Sequence, residues 1–145
     1  MIYTELTKKA LALSFAVHKE QLDKGGAPYP YHPFYLASKM RDEEGVICAL
    51  LHDVLEDSDL TADDLRGMGY PDTVIDALCL LCHEPETDYF DYIRAIAKNP
   101  IARRVKLLDL RHNSDLSRLA APTAADHARA AKYKKAIGIL KRGKQ

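Results

Sequence analysis

A strongly apolar segment, residues 46–54, is the feature that most constrains how this chain can fold. Drawn as a helix, the segment carries apolar side chains almost all round its axis, and a helix of that kind is buried on every side. Asp42 precedes it as an N-cap, with Glu43 and Glu44 in the first turn, where the helix dipole favours carboxylates. The sequence therefore predicts a central helix against which the other elements pack.

The rest of the chain is also helical in pattern, without a hairpin signal. One periodic segment is expected to run from Ile101 through Leu116 and Leu119, and Pro122-Thr123 then opens the last helix. At 145 residues the chain fits one domain. The predicted fold is all-α, a single compact bundle of about seven to eight helices over residues 1–145. Further breaks are expected at Gly25-Gly26, at the prolines of residues 28–33, at Gly67 or Gly69, and at Asn99-Pro100.

The charge balance and hydropathy exclude some classes of protein. Lys plus Arg and Asp plus Glu number 21 each, which argues against bulk nucleic-acid binding because that needs a basic surface. No apolar run is long enough to span a membrane, and the N-terminus lacks the pattern of a secretory signal. Three cysteines are too few for a disulfide framework. A cytoplasmic protein that acts on a small molecule is the expectation.

Four acidic or imidazole groups lie at the end of this apolar segment and just beyond it, namely His52, Asp53, Glu56 and Asp57. If one helix continues to Asp57, Glu56 lies about 40° round from His52, with Asp53 and Asp57 on the same edge. Carboxylates so close repel one another and are costly to desolvate. A bound cation would remove that cost, which points to a metal site with hydrolytic chemistry. The simpler alternative is a solvated, charged helix end.

Two further groups suit the same metal. Asp109 falls on an apolar stripe, where an isolated carboxylate is costly, and His32 lies in a stiff, proline-framed loop. A set of imidazoles and carboxylates favours Mn²⁺, Fe²⁺ or a Mg²⁺-like octahedral coordination with open water positions, although Zn²⁺ remains an alternative. Such an ion lowers the pKa of a water molecule and polarises a phosphoryl oxygen. Glu56 and Asp57 are placed to transfer protons.

Residues near Asp109 extend this prediction toward a substrate. Asn113 and His112 share a helix face with Asp109 at spacings of four and three, and Lys106 lies one turn earlier on that face. In the functional interpretation Lys106 and Asn113 reach a substrate, and His112 supports Asp109 from outside the metal's own ligands. The alternative is a core helix with a buried polar network.

A five-residue pattern, Cys79 to His83, matches the motif of covalent haem c attachment. The segment continues an apolar helical run and the chain shows no export signal, so two cysteines packed in a helix is the preferred interpretation. A structural zinc site would need a second cysteine pair, which the sequence lacks.

Taken together, the motifs resemble the HD-domain hydrolases of the RelA/SpoT type, and in particular the small stand-alone members that hydrolyse (p)ppGpp. The resemblance covers about residues 10 to 140, and its motifs are specific jointly, in order and spacing. The residues that carry it are His18, Gln21, Lys24-Gly25-Gly26, Pro28-Tyr29 and His32-Pro33, then residues 49–57, then residues 105–113.

The resemblance implies an HD-domain helical fold and removal of the 3′-pyrophosphate from guanosine tetra- and pentaphosphate. It implies a single domain with no following synthetase or regulatory domain. It also implies roles for individual residues. These are one Mn²⁺ bound by His32, His52, Asp53 and Asp109; Glu56 and Asp57 acting on the nucleophilic water; and a nucleotide pocket lined by Lys24, Tyr29 and Asn113.

One departure keeps other functions open. Asp23-Lys24 stands where the family usually has an Arg-Lys pair whose arginine holds the guanine base. An aspartate cannot stack on a base and has the wrong sign beside phosphates. Hydrolysis of another nucleotide or phosphoester is therefore one alternative, and a non-catalytic metal- or nucleotide-binding module is another.

Overall fold

The computed structural model describes residues 1–143, and within them the chain forms nine α-helices and one short 3₁₀ helix. The helices are α1 (Glu5–His18), α2 (Tyr31–Ser38), α3 (Glu43–Leu51), α4 (Val54–Asp57), α5 (Ala62–Gly67), α6 (Asp72–Leu81), α7 (Tyr89–Ala97), α8 (Pro100–Asn113), the 3₁₀ helix (Leu116–Arg118) and α9 (Ala124–Arg142).

The all-α prediction is confirmed. No strand occurs in residues 1–143, where the one β-type contact is an isolated bridge between Leu22 and Pro28. The helices outnumber the predicted seven to eight because the acidic segment after Asp53 forms a separate helix of four residues. Over the same residues, no helix has both the length and the apolar character needed to cross a membrane.

Helix α3 lies at the centre of the bundle, as its apolar sequence predicts. Every residue from Gly45 to Leu51 is buried, and α1, α2, α6 and α8 all pack against this helix. At about 25 cal/mol per Å² of apolar surface, burial on all sides makes α3 a main source of the free energy of folding. The residues immediately after α3 are therefore held by the most tightly packed part of the molecule.

Side-chain caps fix the starts of several helices. The Asp42 carboxylate accepts a hydrogen bond from the Gly45 N–H at 2.6 Å and so begins α3. Thr61 and Thr123 form capping boxes for α5 and α9, and the Asn99 side chain accepts two N–H bonds ahead of Pro100. Each cap satisfies donors that the first turn of a helix leaves free.

Two predicted helix limits are wrong. Helix α8 ends at Asn113, because Ser114 closes it and the Asp115 carboxylate caps a separate 3₁₀ helix; Leu116 and Leu119 thus lie outside α8. Helix α1 ends at His18, well before Gly25-Gly26. Gly26, at φ +86°, instead allows the turn in the loop that follows α1.

The expectation of one continuous helix to Asp57 is also wrong. Helix α3 stops at Leu51, His52 and Asp53 form a turn, and α4 begins at Val54. Asp53 has φ −105° and ψ 1°, outside the helical range, which changes the direction of the chain at this point. The four groups therefore do not share one straight helical edge.

The central position of α3 predicts a large difference between two otherwise identical substitutions. We expect Leu50→Ala, at a side chain 1% exposed in α3, to lower the free energy of unfolding by about 2–5 kcal/mol because it leaves a cavity. Leu11→Ala, at a side chain 40% exposed on α1, is expected to cost less than about 1 kcal/mol. Urea denaturation measures both, and equal losses would contradict a core centred on α3.

Candidate metal centre

Three separate elements bring His32, His52 and Asp109 together. His52 follows α3, and Asp109 lies in the second half of α8. The sequence indicated a loop around His32, but the structure places this residue in the first turn of α2. Their potential ligand atoms all lie within 4.8 Å of one another, and all three residues are buried. Asp53 adjoins the cluster, with its Oδ2 3.1 Å from His52 Nε2. This His/Asp cluster could bind a divalent metal ion.

The imidazole of His52 has a defined orientation and tautomer. Its Nδ1 lies 2.7 Å from the backbone carbonyl oxygen of Ala49, which can only accept, so Nδ1 carries the hydrogen. In neutral His52 the lone pair is then on Nε2, which is buried and has no hydrogen-bond partner among the described residues.

This lone pair faces two carboxylates. Oxygens of Asp53 and Asp109 lie 3.1 Å and 3.5 Å from His52 Nε2, respectively. A bare lone pair and two anions at these distances repel one another, so a positive charge must lie between them, either a proton or a metal ion. The donor set of two imidazoles and two carboxylates fits a divalent cation.

The charges shift the pKa values of the cluster in opposite directions. Burial alone would lower the pKa of His52, but the neighbouring carboxylates, Asp53 first, outweigh it and hold that pKa well above its usual value. Burial would raise the pKa of Asp53, yet its contacts with His52 lower it to about 2. Asp53 is thus ionised at neutral pH.

Three polar side chains contact the Asp109 carboxylate. Its Oδ1 lies 2.8 Å from His32 Nε2 and accepts a hydrogen bond from Asn113 Nδ2 at 2.9 Å, and its Oδ2 accepts one from Lys106 Nζ at 2.8 Å. Burial would raise the pKa of Asp109, but Lys106 above all holds it well below the usual value. Lys106 is itself mostly buried, and over Asp109 it acts as a fixed counter-ion.

Two aromatic side chains, Tyr29 and His112, also contact residues of the cluster. The Tyr29 hydroxyl donates to Asp53 Oδ2, and burial raises the pKa of this phenol, so Tyr29 stays a donor at neutral pH. The Nδ1 atoms of His112 and His32 lie 2.7 Å apart, with the two rings stacked. Burial and the nearby Arg118 lower the pKa of His112 to about 4. In this structure His112 supports His32, whereas the sequence pattern associated it with Asp109.

Glu56 and Asp57 lie on α4, at the exposed rim beside the cluster. Glu56 Oε1 accepts a hydrogen bond from the His83 backbone N–H at 2.6 Å, and Asp57 Oδ2 lies 3.7 Å from His18 Nδ1. Partial burial raises the pKa of both carboxyl groups, and the negative charge of Asp53 adds to the effect. A raised pKa brings a carboxyl group closer to the range useful for proton transfer at neutral pH.

A cavity of about 290 Å³ opens next to the cluster. Tyr29 and Asn113, which contact Asp53 and Asp109, form part of its wall, and Lys24 lies on the wall as well. Arg118 also lines the cavity and was not singled out from the sequence. It contacts Asp23, 95 positions away, and no spacing pattern indicates so distant a contact.

The cysteine pattern occupies a helix end. Cys79 is an exposed residue of α6 and Cys82 follows its last turn. The His83 ring is stacked on Tyr92, and its Nε2 lies 2.8 Å from the Thr87 carbonyl oxygen, with which it forms a hydrogen bond. That nitrogen is therefore engaged within the protein.

Local sequence similarity links the chain to enzymes of (p)ppGpp metabolism. It is 38% identical over 68 residues to guanosine-3′,5′-bis(diphosphate) 3′-pyrophosphohydrolase from Aquifex aeolicus, a match to 44% of this chain and 10% of that protein. It is also 38% identical over 68 residues to a GTP pyrophosphokinase from Myxococcus xanthus, covering 44% of this chain and 9% of that protein. The matches thus span about a tenth of these relatives' length. No family model matches the sequence.

A solved structure shares the fold over almost the whole chain. It is described as a metazoan ortholog of SpoT that hydrolyses ppGpp and plays a role in starvation responses. The TM-score is 0.74 with 22% identity, and the alignment covers 99% of this chain and 87% of that one. The predicted helical bundle is confirmed, and the resemblance to RelA/SpoT-type hydrolases is supported by both the shared fold and the local sequence similarity.

The geometry predicts that one charge-removing substitution weakens metal binding. We expect Asp109→Asn to lower the affinity for Mn²⁺ by about 10-fold or more, because it removes an anionic ligand and the group that orients His32. Isothermal titration calorimetry measures the affinity, and circular dichroism checks the fold. Asp63→Asn, on the exposed surface of α5, is the matched control and should bind Mn²⁺ like the unaltered protein. Unchanged affinity in Asp109→Asn would remove Asp109 from the metal site.

Proposed function

We propose that residues 1–145 form a single metal-dependent phosphohydrolase domain that removes the 3′-pyrophosphate from (p)ppGpp-like nucleotides. The observation that carries this proposal is the His52 Nε2 atom, which is buried between the carboxylates of Asp53 and Asp109 without a hydrogen-bond partner among the described residues. The adjoining cavity supports it, since its wall reaches the same carboxylates through Tyr29 and Asn113.

The proposed ion is Mn²⁺, bound by His32, His52, Asp53 and Asp109. Mixed nitrogen and oxygen donors suit Mn²⁺ better than they suit Mg²⁺ or Ca²⁺, which prefer oxygen alone. When bound, the ion supplies a Lewis acid that polarises a phosphoryl oxygen and lowers the pKa of a water molecule.

The chain's own side chains position the substrate. Lys24 lies on the cavity wall, where its ammonium can neutralise phosphate charge. Tyr29 and Asn113 present polar groups between the cavity and the carboxylates. Lys106 was expected to reach the substrate; its 2.8 Å contact with Asp109 supports a role in keeping that carboxylate ionised.

Glu56 and Asp57 are the proposed proton-transfer groups. Both belong to the short helix α4, which follows the turn at His52 and Asp53 and lies at the edge of the cluster. Their raised pKa values favour taking a proton from the attacking water and returning one to the leaving group. The hydrogen bond from His83 N–H to Glu56 Oε1 holds that carboxylate in place.

The names of the relatives support a guanosine polyphosphate as the substrate, but they include both a pyrophosphohydrolase and a pyrophosphokinase. The site favours hydrolysis because it combines a candidate metal cluster with carboxyl groups of raised pKa. Asp23 on the cavity wall is the observation that keeps a different nucleotide or phosphoester as the second candidate.

Hydrolysis tests the proposed function directly. The purified protein with Mn²⁺ and guanosine tetraphosphate should release pyrophosphate, and Asp53→Ala should lower kcat/KM by about 100-fold or more because it removes a metal ligand. Asp72→Ala, at an exposed residue of α6, should keep full activity. Turnover of other nucleotides alone would favour the second candidate, and bound Mn²⁺ without turnover of any phosphoester would favour a binding module.

A second substitution separates proton transfer from metal binding. We expect Glu56→Gln to lower kcat by about 100-fold to 10,000-fold, because the amide cannot exchange a proton. Its affinity for Mn²⁺ should change little, and Oε1 can still accept the hydrogen bond from His83 N–H. Steady-state kinetics and Mn²⁺ titration measure the two effects. A loss of Mn²⁺ affinity as large as the loss of kcat would make Glu56 a metal ligand instead.

A further inference from the structure

Both oxygens of the Asp23 carboxylate accept hydrogen bonds within the protein. Its Oδ1 accepts hydrogen bonds from the backbone N–H groups of Gly25 and Ala27, both at 2.9 Å. Its Oδ2 accepts one from Arg118 at 2.9 Å. Asp23 therefore shapes the loop after α1, and its charge is neutralised by a guanidinium. The repulsion of phosphates expected from the sequence is offset by Arg118.

Arg118 is held from two sides and still reaches solvent. Its Nη1 donates to the His112 carbonyl oxygen at 2.9 Å, and its Nη2 donates to Asp23. These bonds use two of the five N–H donors that a guanidinium carries. The side chain is 27% exposed, and it lines the 290 Å³ cavity. The guanidinium is thus a rigid, planar donor group on the cavity wall.

The backbone also joins the two segments. A Cβ atom at Gly25 would lie 2.7 Å from the Arg118 carbonyl oxygen, closer than real Cβ contacts allow. The loop after α1 and the 3₁₀ helix therefore touch directly at this point, with the Asp23–Arg118 ion pair beside the contact. This close packing limits movement of Arg118 relative to the loop.

The part of the wall that Arg118 and Lys24 form offers hydrogen-bond donors, while the carboxylate of Asp115 lines another part of the cavity. Both oxygens of Asp23 already accept bonds from Gly25, Ala27 and Arg118, whereas Arg118 and Lys24 are donors only. Such a wall suits a ligand edge made of acceptors. The O6 and N7 atoms of guanine form such an edge and match an arginine in a bidentate contact, whereas adenine places an amino donor at the same point.

We propose that Arg118 is the specificity-determining residue of this cavity and binds the O6/N7 edge of a guanine base. Asp23 is a positioning residue that holds the guanidinium in place. The inference rests on the proposed function in one respect, namely that the cavity takes a nucleotide. A phosphate group is the other acceptor-only ligand, and the experiments distinguish it from the base.

Equilibrium binding tests the proposal without any need for catalysis. The unaltered protein should bind guanosine diphosphate about 10-fold or more tightly than adenosine diphosphate, and Arg118→Ala should abolish the difference. Arg118→Lys keeps the charge but loses the planar pair of donors, so it should behave like Arg118→Ala. If Arg118→Lys keeps the preference, or if Arg118→Ala weakens both ligands equally, the residue binds phosphate and the proposal is overturned.

Kinetics gives the second readout. With guanosine and adenosine 3′,5′-bis(diphosphate) as substrates, Arg118→Ala should raise KM for the guanosine compound by about 10-fold, with kcat within about 2-fold. Asp23→Asn keeps an oxygen for the Gly25 and Ala27 N–H groups and removes the charge that holds Arg118. It should raise the same KM by a smaller factor. A fall in kcat with KM unchanged would contradict a role in base binding.

The outcomes separate this proposal from the proposed activity. Preferential, Arg118-dependent binding of guanosine diphosphate without hydrolysis would refute the activity and support the role of Arg118. Hydrolysis of guanosine tetraphosphate together with an unchanged base preference in Arg118→Ala would support the activity and refute the role of Arg118. Arg66→Ala on α5, which removes an exposed arginine with its own ion pairs to Asp63 and Asp72, is the control for folding and charge. Thermal unfolding of every variant identifies losses caused by misfolding.

Discussion

The hydrogen bond between His52 Nδ1 and the Ala49 carbonyl oxygen is the interaction on which the site depends. It fixes the orientation of the ring, so that Nε2 faces Asp53 and Asp109, where a proton or a metal ion balances the two carboxylates. Without this bond the ring could rotate, and Nε2 would no longer be held facing both carboxylates. A backbone carbonyl one turn earlier in the chain thus orients the imidazole within a cluster that could bind a metal.

The Ala49 carbonyl group is held in a fixed position by its surroundings. Ala49 belongs to α3, whose residues from Gly45 to Leu51 are buried and packed against four other helices. A group on such an element has little freedom to move, and a preorganised site needs that rigidity. Helix α3 ends at Leu51, and His52 and Asp53 form the turn that follows. These two residues are therefore attached directly to a rigid, buried helix.

Much of the fold could be predicted from local signals. The apolar character of α3, the cap at Asp42 and the Asn99-Pro100 break are each contained in a few neighbouring residues, and all are present. The break at His52 was not predicted, because the sequence there continues a helical pattern. The turn at His52 and Asp53 separates α3 from α4, and no helix-breaking residue in this stretch marks it.

The candidate site, like the fold, has features that could be predicted from the sequence and features that could not. Convergence of His32, His52 and Asp109 was inferred from residue types and apolar surroundings, and the structure places their potential ligand atoms within 4.8 Å of one another. The pairing of Asp23 with Arg118 could not be inferred, since it depends on how the segment after α8 folds back over 95 positions of sequence. From the sequence alone, Asp23 is a negative charge that would repel phosphates. The structure shows that Arg118 compensates this charge.

The contact of Gly25 with the Arg118 carbonyl oxygen has a consequence for protein engineering. The two segments are packed too closely for a side chain at position 25, because a methyl group there would displace the backbone of one of them. A chimera that exchanged only the loop after α1 with that of a related protein would leave Arg118 beside a foreign surface. Grafts that alter ligand preference in this scaffold should therefore exchange both segments together.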